Sequence, residues 1–218
     1  MSSGVVLLDV DGTLLDTNFL HTVAWARALR RHDIVVPMAR ILPLIGMGAD
    51  RLATELLGHG VEDIDKTHHD EFERLRPEVR VLPGAQQLVR ALHDRGALVV
   101  LSSSAREDEL EFFRSLLDVD DCLAAATSSD DAEQSKPDPE IFTAALERLD
   151  ASPDRAMVVG DTVWDVKAAA DAGMATVAVL SGGIHRAELE AAGAAAVYAD
   201  CADILDHLDA GPLAKLLS

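Results

Sequence analysis

The sequence predicts an α/β protein of 218 residues, with a doubly wound parallel sheet as its core and an α-helical segment inserted near its start. Three observations carry that prediction. Short continuous apolar runs at Val5 to Leu8, Ala97 to Leu101, Ala156 to Val159 and Thr176 to Leu180 suit strands buried on both faces. Helical patterns separate most of them, and strands alternating with helices imply βαβ units and a parallel sheet. Between about Thr17 and Val81, however, helical stretches follow one another with no buried strand.

The first run, Val5-Val6-Leu7-Leu8, stops at Asp9-Val10-Asp11-Gly12, as a buried strand does at a turn. The inserted part holds amphipathic stretches at Leu20 to Arg31, Asp50 to Leu57 and Asp65 to Leu75. Its exits, the stretch after Gly12 and Arg80-Val81-Leu82-Pro83-Gly84, carry the turn residues of hinges. Gly84 to Asp94, Glu107 to Leu117, Pro139 to Leu149 and Val166 to Ala172 supply the core's helices. The expected organisation is a core of residues 1–16 and 81–218, with residues 17–80 as an inserted helical subdomain.

Composition narrows the function. With 49% hydrophobic and 26% charged residues the chain can bury a core of its own. Thirty-eight acidic against 19 basic residues leave a net charge of −19, which repels phosphate backbones and anionic lipid, so neither nucleic acid nor membrane is an expected partner. The two cysteines, Cys122 and Cys201, are too few for a disulfide framework or a thiolate metal cluster. No apolar run approaches the ~18 residues of a membrane span. A cytoplasmic monomer or homodimer acting on a small molecule is expected.

Four groups of residues bear chemistry. Asp9 and Asp11, two apart at a strand end, point to the same side beyond the carboxyl edge of the sheet, where open parallel sheets bind ligands. Gly12 permits a tight turn, and Thr13 adds a hydroxyl and a backbone N–H. An ordinary Asp-Gly turn would account for these residues taken alone. After the run Met157-Val158-Val159, however, Gly160-Asp161-Thr162-Val163-Trp164-Asp165 brings two further carboxylates to a strand end. An acidic helix start explains one of them, not four converging aspartates. Unit charges 4 Å apart cost about 4 kcal/mol at an effective dielectric of ~20, so the cluster calls for a cation, and all-oxygen donors favour Mg²⁺. Ser102-Ser103-Ser104 follows another apolar run, with one serine expected to cap a helix. Ser135-Lys136-Pro137-Asp138-Pro139 holds a lysine in a stretch stiffened by proline.

These four groups, in this order and spanning almost the whole chain, resemble the four motifs of the haloacid dehalogenase superfamily: Asp9-Val10-Asp11-Gly12-Thr13-Leu14, a hydroxyl after the second strand, Lys136 before Pro137, and Gly160-Asp161 through Asp165. The resemblance implies a Rossmann-like core. The insertion is similar to the helical cap of the subfamily containing phosphoglycolate phosphatases and β-phosphoglucomutases. It further implies that Asp9 is a nucleophile forming an aspartyl-phosphate and that Asp11 is the general acid and base. Asp9, the Asp11 backbone carbonyl and Asp161 would hold Mg²⁺ with support from Asp165, and Ser103 and Lys136 would hold the phosphoryl oxygens. Ser103 is preferred to Ser102 because it falls seven residues after Gly96. Gly12, Thr13, Ser104, His21 and Gly46 are the remaining candidates for substrate contact. The segment Ile45-Gly46-Met47-Gly48-Ala49-Asp50 reads either as a substrate loop or as a helix-helix turn with Asp50 as N-cap.

The expected activity is hydrolysis of a small phosphate monoester. Dehalogenases and the Schiff-base phosphonate hydrolases of the superfamily typically lack the second aspartate, here Asp11. A β-phosphoglucomutase-like phosphotransferase is the strongest alternative, since His21 and Trp25 lie where those enzymes carry a cap histidine and a tryptophan. Against it, the positions resembling their cap arginine and lysine hold Ala49 and Glu71. A phospho-accepting signalling module has similar aspartates but is shorter, has no helical insertion and carries its phosphorylated aspartate on a middle strand.

Overall fold

Residues 4–132 and 134–218 are described by the computed structural model, the side chain of Asp50 excepted. Six strands form one sheet: β1 (Val5–Leu8), β2 (Leu98–Ser102), β3 (Leu123–Thr127), β4 (Ala156–Gly160), β5 (Ala175–Val179) and β6 (Ala196–Tyr198). All neighbouring pairs are parallel, in the order β3-β2-β1-β4-β5-β6. Connections run outward from β1 on one side and from β4 on the other, which opens a crevice beyond the carboxyl ends of those two strands.

The helices of the insertion are α1 (Asn18–Arg31), α2 (Met38–Ile41), α3 (Ala49–Leu57) and α4 (Ile64–Glu73). Those of the core are α5 (Ala85–Asp94), α6 (Glu107–Leu117), α7 (Glu140–Arg148), α8 (Val163–Asp171), α9 (Arg186–Ala192), α10 (Cys201–Asp206) and α11 (Pro212–Leu217). No helix among the described residues is long and apolar enough to cross a membrane.

The unbroken hydrophobicity of β1 is used on both faces. Val6 and Leu8 pack with Leu88 and Leu92 of α5 and with Leu110 and Phe113 of α6. Val5 and Leu7 join Ile141, Phe142 and Ala145 of α7 and Ala168 and Ala169 of α8. The insertion has an apolar cluster of its own, built from Trp25 and Leu29 of α1, Ile41 of α2, Leu52 and Leu56 of α3 and Ile64 of α4. Each such side chain, fully buried, contributes roughly 1.5–3 kcal/mol. The two chain segments joining insertion to sheet are tied together: Asp16 N donates to Arg80 O at 2.9 Å and Leu82 N to Leu14 O at 2.9 Å.

The departures from the sequence-based expectation are local. Two strands, β3 (Leu-Ala-Ala-Ala-Thr) and β6 (Ala-Val-Tyr), are additional to the four that the apolar runs predict. Both are edge strands, flanked on one side only, so their sequences lack the apolar run that marked the central four. None of Ser102, Ser103 and Ser104 caps a helix, because α6 starts later, with Arg106 in the N-cap position and no side-chain cap bond. Gly48 in extended conformation, not Asp50, is the N-cap of α3. The Asp50 side chain itself lies outside the described residues.

Candidate active site

The carboxyl end of β1 delivers Asp9, which is 5% exposed, and the Lys136 side chain, 1% exposed, arrives from the loop before α7 to meet it. Lys136 Nζ donates to Asp9 Oδ1 at 2.5 Å and to the Ser102 carbonyl at 3.4 Å, and lies 2.8 Å from Asp165 Oδ1. The opposite carboxylate oxygen of Asp165 is committed to the start of α8. It accepts from Thr162 N at 3.1 Å and from Thr162 Oγ1 at 2.6 Å, while Asp165 N donates back to Thr162 Oγ1 at 3.2 Å. This reciprocal cap at the helix start fixes Asp165, and Asp165 in turn fixes the lysine.

Asp161, fully buried at the end of β4, accepts from Thr13 Oγ1 at 3.1 Å and from Asn18 Nδ2 at 2.7 Å. Thr13 is thus turned to Asp161, with a further contact to Asp9 Oδ2 at 3.5 Å, and away from open space. Gly12 adopts φ +71°, and a Cβ there would collide with Asn18 and Asp161. Gly182 is subject to the same limit, since its Cβ would fall on the Asp161 carboxylate.

One oxygen each from Asp9, Asp161 and Asp165 lie within 4.8 Å of one another. One ammonium group does not balance them. Burial pushes the Asp9 carboxyl up to about 7 against the pull of Lys136, with the charges of Asp165 and Asp11 adding to the rise. Burial, then Asp9 and Asp165, holds Asp161 well above the ordinary carboxylate range, its own partners being neutral donors. Burial disfavours the Lys136 cation but is outweighed by Asp165 and Asp9, so the lysine stays charged. An all-carboxylate set short of positive charge fits a hard divalent cation.

Asp11 faces the insertion. Thr17 Oγ1 donates to its Oδ1 at 2.7 Å, His21 Nε2 to the same oxygen at 3.1 Å and Ser103 Oγ to Oδ2 at 3.2 Å. Burial works to raise Asp11, but the bond and charge of His21, the Thr17 hydroxyl and the charge of Lys136 hold it below the ordinary range. Burial likewise works against a charged His21 and is outweighed by Asp11 and Glu109. His21 is stacked on Phe72 at 3.9 Å between ring centroids, and its Nδ1 lies 3.3 Å from His68 Nε2. Burial drives His68 well below its usual pKa, with the charges of His21 and His69 adding, so neutral His68 accepts the His21 Nδ1 proton.

The two adjacent serines diverge. Ser102 Oγ meets the Thr127 hydroxyl at 3.2 Å inside the sheet, whereas Ser103 Oγ turns to Asp11 and accepts from Ala105 N at 3.0 Å. Ser104 Oγ donates to the Gly46 carbonyl at 3.4 Å across the seam between core and insertion. Gly46, at φ +95°, packs so closely on Thr162 that a Cβ would lie 2.8 Å from its methyl. Trp164 Nε1 donates to the Pro43 carbonyl at 3.1 Å on the same seam. Beneath it a cavity of about 500 Å³ is lined by Asp9, Asp11 and Ser104 on the core side and by His21, Trp25 and Gly46 on the other. Thr17, Asn18, His68, Glu109 and Gly182 were not anticipated from the sequence. For Asn18 and Thr17 the available signal was their place just after the first aspartate-bearing strand; the others carried none.

A family model for haloacid dehalogenase-like hydrolases matches residues 4–173. The chain belongs to that family. The chain is 32% identical over 203 residues to pyrophosphatase PpaX of Bacillus cereus, covering 88% of this chain and 89% of the relative. A hydrolase from Pseudomonas syringae has the same fold at a TM-score of 0.89, with 33% identity and coverage of 95% of this chain and 98% of that one. CbbY from Rhodobacter sphaeroides in complex with phosphate shares the fold at a TM-score of 0.77 and 23% identity, with coverage of 93% and 96%.

Proposed function

We propose that this hydrolase is a Mg²⁺-dependent phosphatase acting on a small phosphorylated metabolite, a phosphate monoester, through an aspartyl-phosphate on Asp9. The observation that supports this reading best is the setting of Asp9: a buried carboxylate with a cavity in front of it, an ammonium at 2.5 Å, and Asp161 and Asp165 beside it. Asp9, Asp161 and the Asp11 backbone carbonyl would hold Mg²⁺, with Asp165 in support, and the bound ion would neutralise phosphoryl charge. Lys136 and Ser103 steady the transferring phosphoryl group. As Asp9 attacks phosphorus, Asp11 protonates the departing alcohol oxygen, and it then takes a proton from the water that cleaves the acyl phosphate. Arrival of a phosphate dianion raises the affinity of Asp11 for the proton it must deliver.

In this reading residues 17–80 act as a cap over a core of residues 1–16 and 81–218, with the paired segments around Asp16 and Arg80 as the hinge. Gly12 and Thr13 shape the phosphate end, and Gly46, Ser104 and His21 the end under the cap. A mutase reading would need cap cations for a second phosphoryl group. Ala49 offers a methyl, and Glu71 is buried in ion pairs with Arg27, Arg31 and Arg74.

Hydrolysis of p-nitrophenyl phosphate with Mg²⁺ tests the reading. Asp9→Asn should abolish turnover while leaving circular dichroism and the melting curve near those of the wild type. Substantial turnover by that variant would overturn the assignment.

A further inference from the structure

Glu109, on α6, is a buried carboxylate to which the proposed chemistry gives no task. It is 4% exposed, it lines the cavity, and its Oε1 accepts no hydrogen bond from the protein. His21 Nε2 is 3.5 Å away, but its single proton is directed to Asp11 at 3.1 Å. The nearby guanidinium groups are engaged elsewhere, Arg76 with Glu73 at 2.6 Å and Arg106 with Asp108 at 3.6 Å. Glu109 Oε1 thus has the His21 ion pair at 3.5 Å but no hydrogen bond, and a buried acceptor in that state gains from a ligand that supplies the donor.

Its position says which part of a ligand that is. One oxygen of Glu109 lies within 4.8 Å of one of Asp11. With the ester oxygen at Asp11, an acceptor so near meets whatever the carbon next to the ester carbon bears. We infer that Glu109 is a specificity-determining residue whose Oε1 accepts a hydrogen bond from a hydroxyl or ammonium group on that adjacent carbon, and that the substrate is a phosphate ester of a neutral or cationic alcohol. A carboxylate at that carbon, or a second phosphoryl group at Asp11, enters a cavity in which the acidic side chains of Asp9, Asp11, Asp65, Glu109 and Asp130 outnumber the cationic ones of His21 and Arg106. Burial pushes the Glu109 carboxyl up to about 7 against the pull of His21, with the charge of Asp11 adding to the rise, and a hydrogen-bond donor from a ligand would favour its ionised form.

The inference rests on the phosphatase reading, and a matched two-carbon series separates the two. The compounds are ethyl phosphate, 2-hydroxyethyl phosphate, O-phosphoethanolamine and 2-phosphoglycolate, assayed with Mg²⁺ as substrates and as competitors of p-nitrophenyl phosphate, with pyrophosphate alongside. In the wild type at least one of the hydroxyl and ammonium esters should exceed ethyl phosphate in kcat/KM by about tenfold or more, the worth of one charge-assisted hydrogen bond. 2-Phosphoglycolate and pyrophosphate should fall below ethyl phosphate. Whichever donor ester leads identifies the class of alcohol. Glu109→Gln keeps the shape and removes the charge, so the ratio of donor ester to 2-phosphoglycolate should shrink by about tenfold. An unchanged ratio in that variant, or 2-phosphoglycolate or pyrophosphate equal to the donor esters in the wild type, would overturn the inference while leaving the phosphatase in place. The wild-type order decides alone if the variant does not fold. No hydrolysis of p-nitrophenyl phosphate by the wild type would overturn both.

Discussion

Lys136→Met tests how the carboxylate cluster is held. The ammonium is 1% exposed and lies 2.5 Å from Asp9 and 2.8 Å from Asp165, with Asp161 adjacent and bound only to neutral donors. Methionine fills most of the same volume, so little of the effect comes from packing. What is lost is the cation, and removing one partner of a buried ion pair costs about 3–5 kcal/mol. In a chain of this size each kcal/mol moves the melting temperature by about 2–4 °C. The variant should therefore melt roughly 6–20 °C below the wild type in buffer treated with EDTA. Mg²⁺ at about a hundred times its Kd stabilises a protein that binds it only when folded by roughly 2.7 kcal/mol. With the ammonium gone the same carboxylates hold the metal more tightly, so added Mg²⁺ should narrow the gap between variant and wild type. Scanning calorimetry with and without MgCl₂ measures both quantities. A metal-free melting temperature within about 2 °C of the wild type, or a gap that widens with Mg²⁺, would refute this account of the cluster.

Two further substitutions probe neighbouring parts of the site. Asp11→Asn keeps the proposed nucleophile and removes the proposed proton donor, so alkyl phosphates should lose far more activity than p-nitrophenyl phosphate, whose leaving group needs little protonation; equal losses would contradict the role given to Asp11. Gly182→Ala places a methyl on the Asp161 carboxylate, so it should remove both turnover and the Mg²⁺ response of the melting curve, and a variant that keeps its metal response would show that the Asp161 carboxylate can shift without consequence.

The parts of this molecule legible in the sequence are those in which a local pattern and a tertiary position coincide. A strand buried on both faces needs an unbroken apolar run, and β1, β2, β4 and β5 have one. Carboxylates that serve beyond the sheet must stand where such a run ends, and Asp9, Asp11 and Asp161 do. The edge strands β3 and β6 face less of the core, so alanines suffice there and the pattern fades. Asp165 was legible as an acidic residue at a helix start, but not its division of labour, with one oxygen closing the cap with Thr162 and the other turned to Lys136 from a distant loop.

Most of the layer around Asp11 was illegible for a more basic reason. His21 on α1 stood out only through the family resemblance, whereas His68 and Phe72 on α4 and Glu109 on α6 each read locally as one more residue on an amphipathic helix. They meet only because the insertion folds back over the carboxyl end of the sheet, held at the seam by Gly46 on Thr162 and by Trp164 on Pro43. Strand ends can thus announce the proposed phosphoryl chemistry, because the sheet fixes where they lie, whereas the groups that would face the leaving alcohol come from helices whose relation to the sheet is set by packing over long sequence separations. On the proposed reading, chemistry in this chain is written in short motifs and selectivity in groups brought together from afar, such as Glu109 and His21, 88 positions apart in sequence and 3.5 Å apart in space. If that reading holds, a change of substrate in this architecture would require no change in Asp9, Asp11, Lys136 or Asp161, only in the helix faces that close over them.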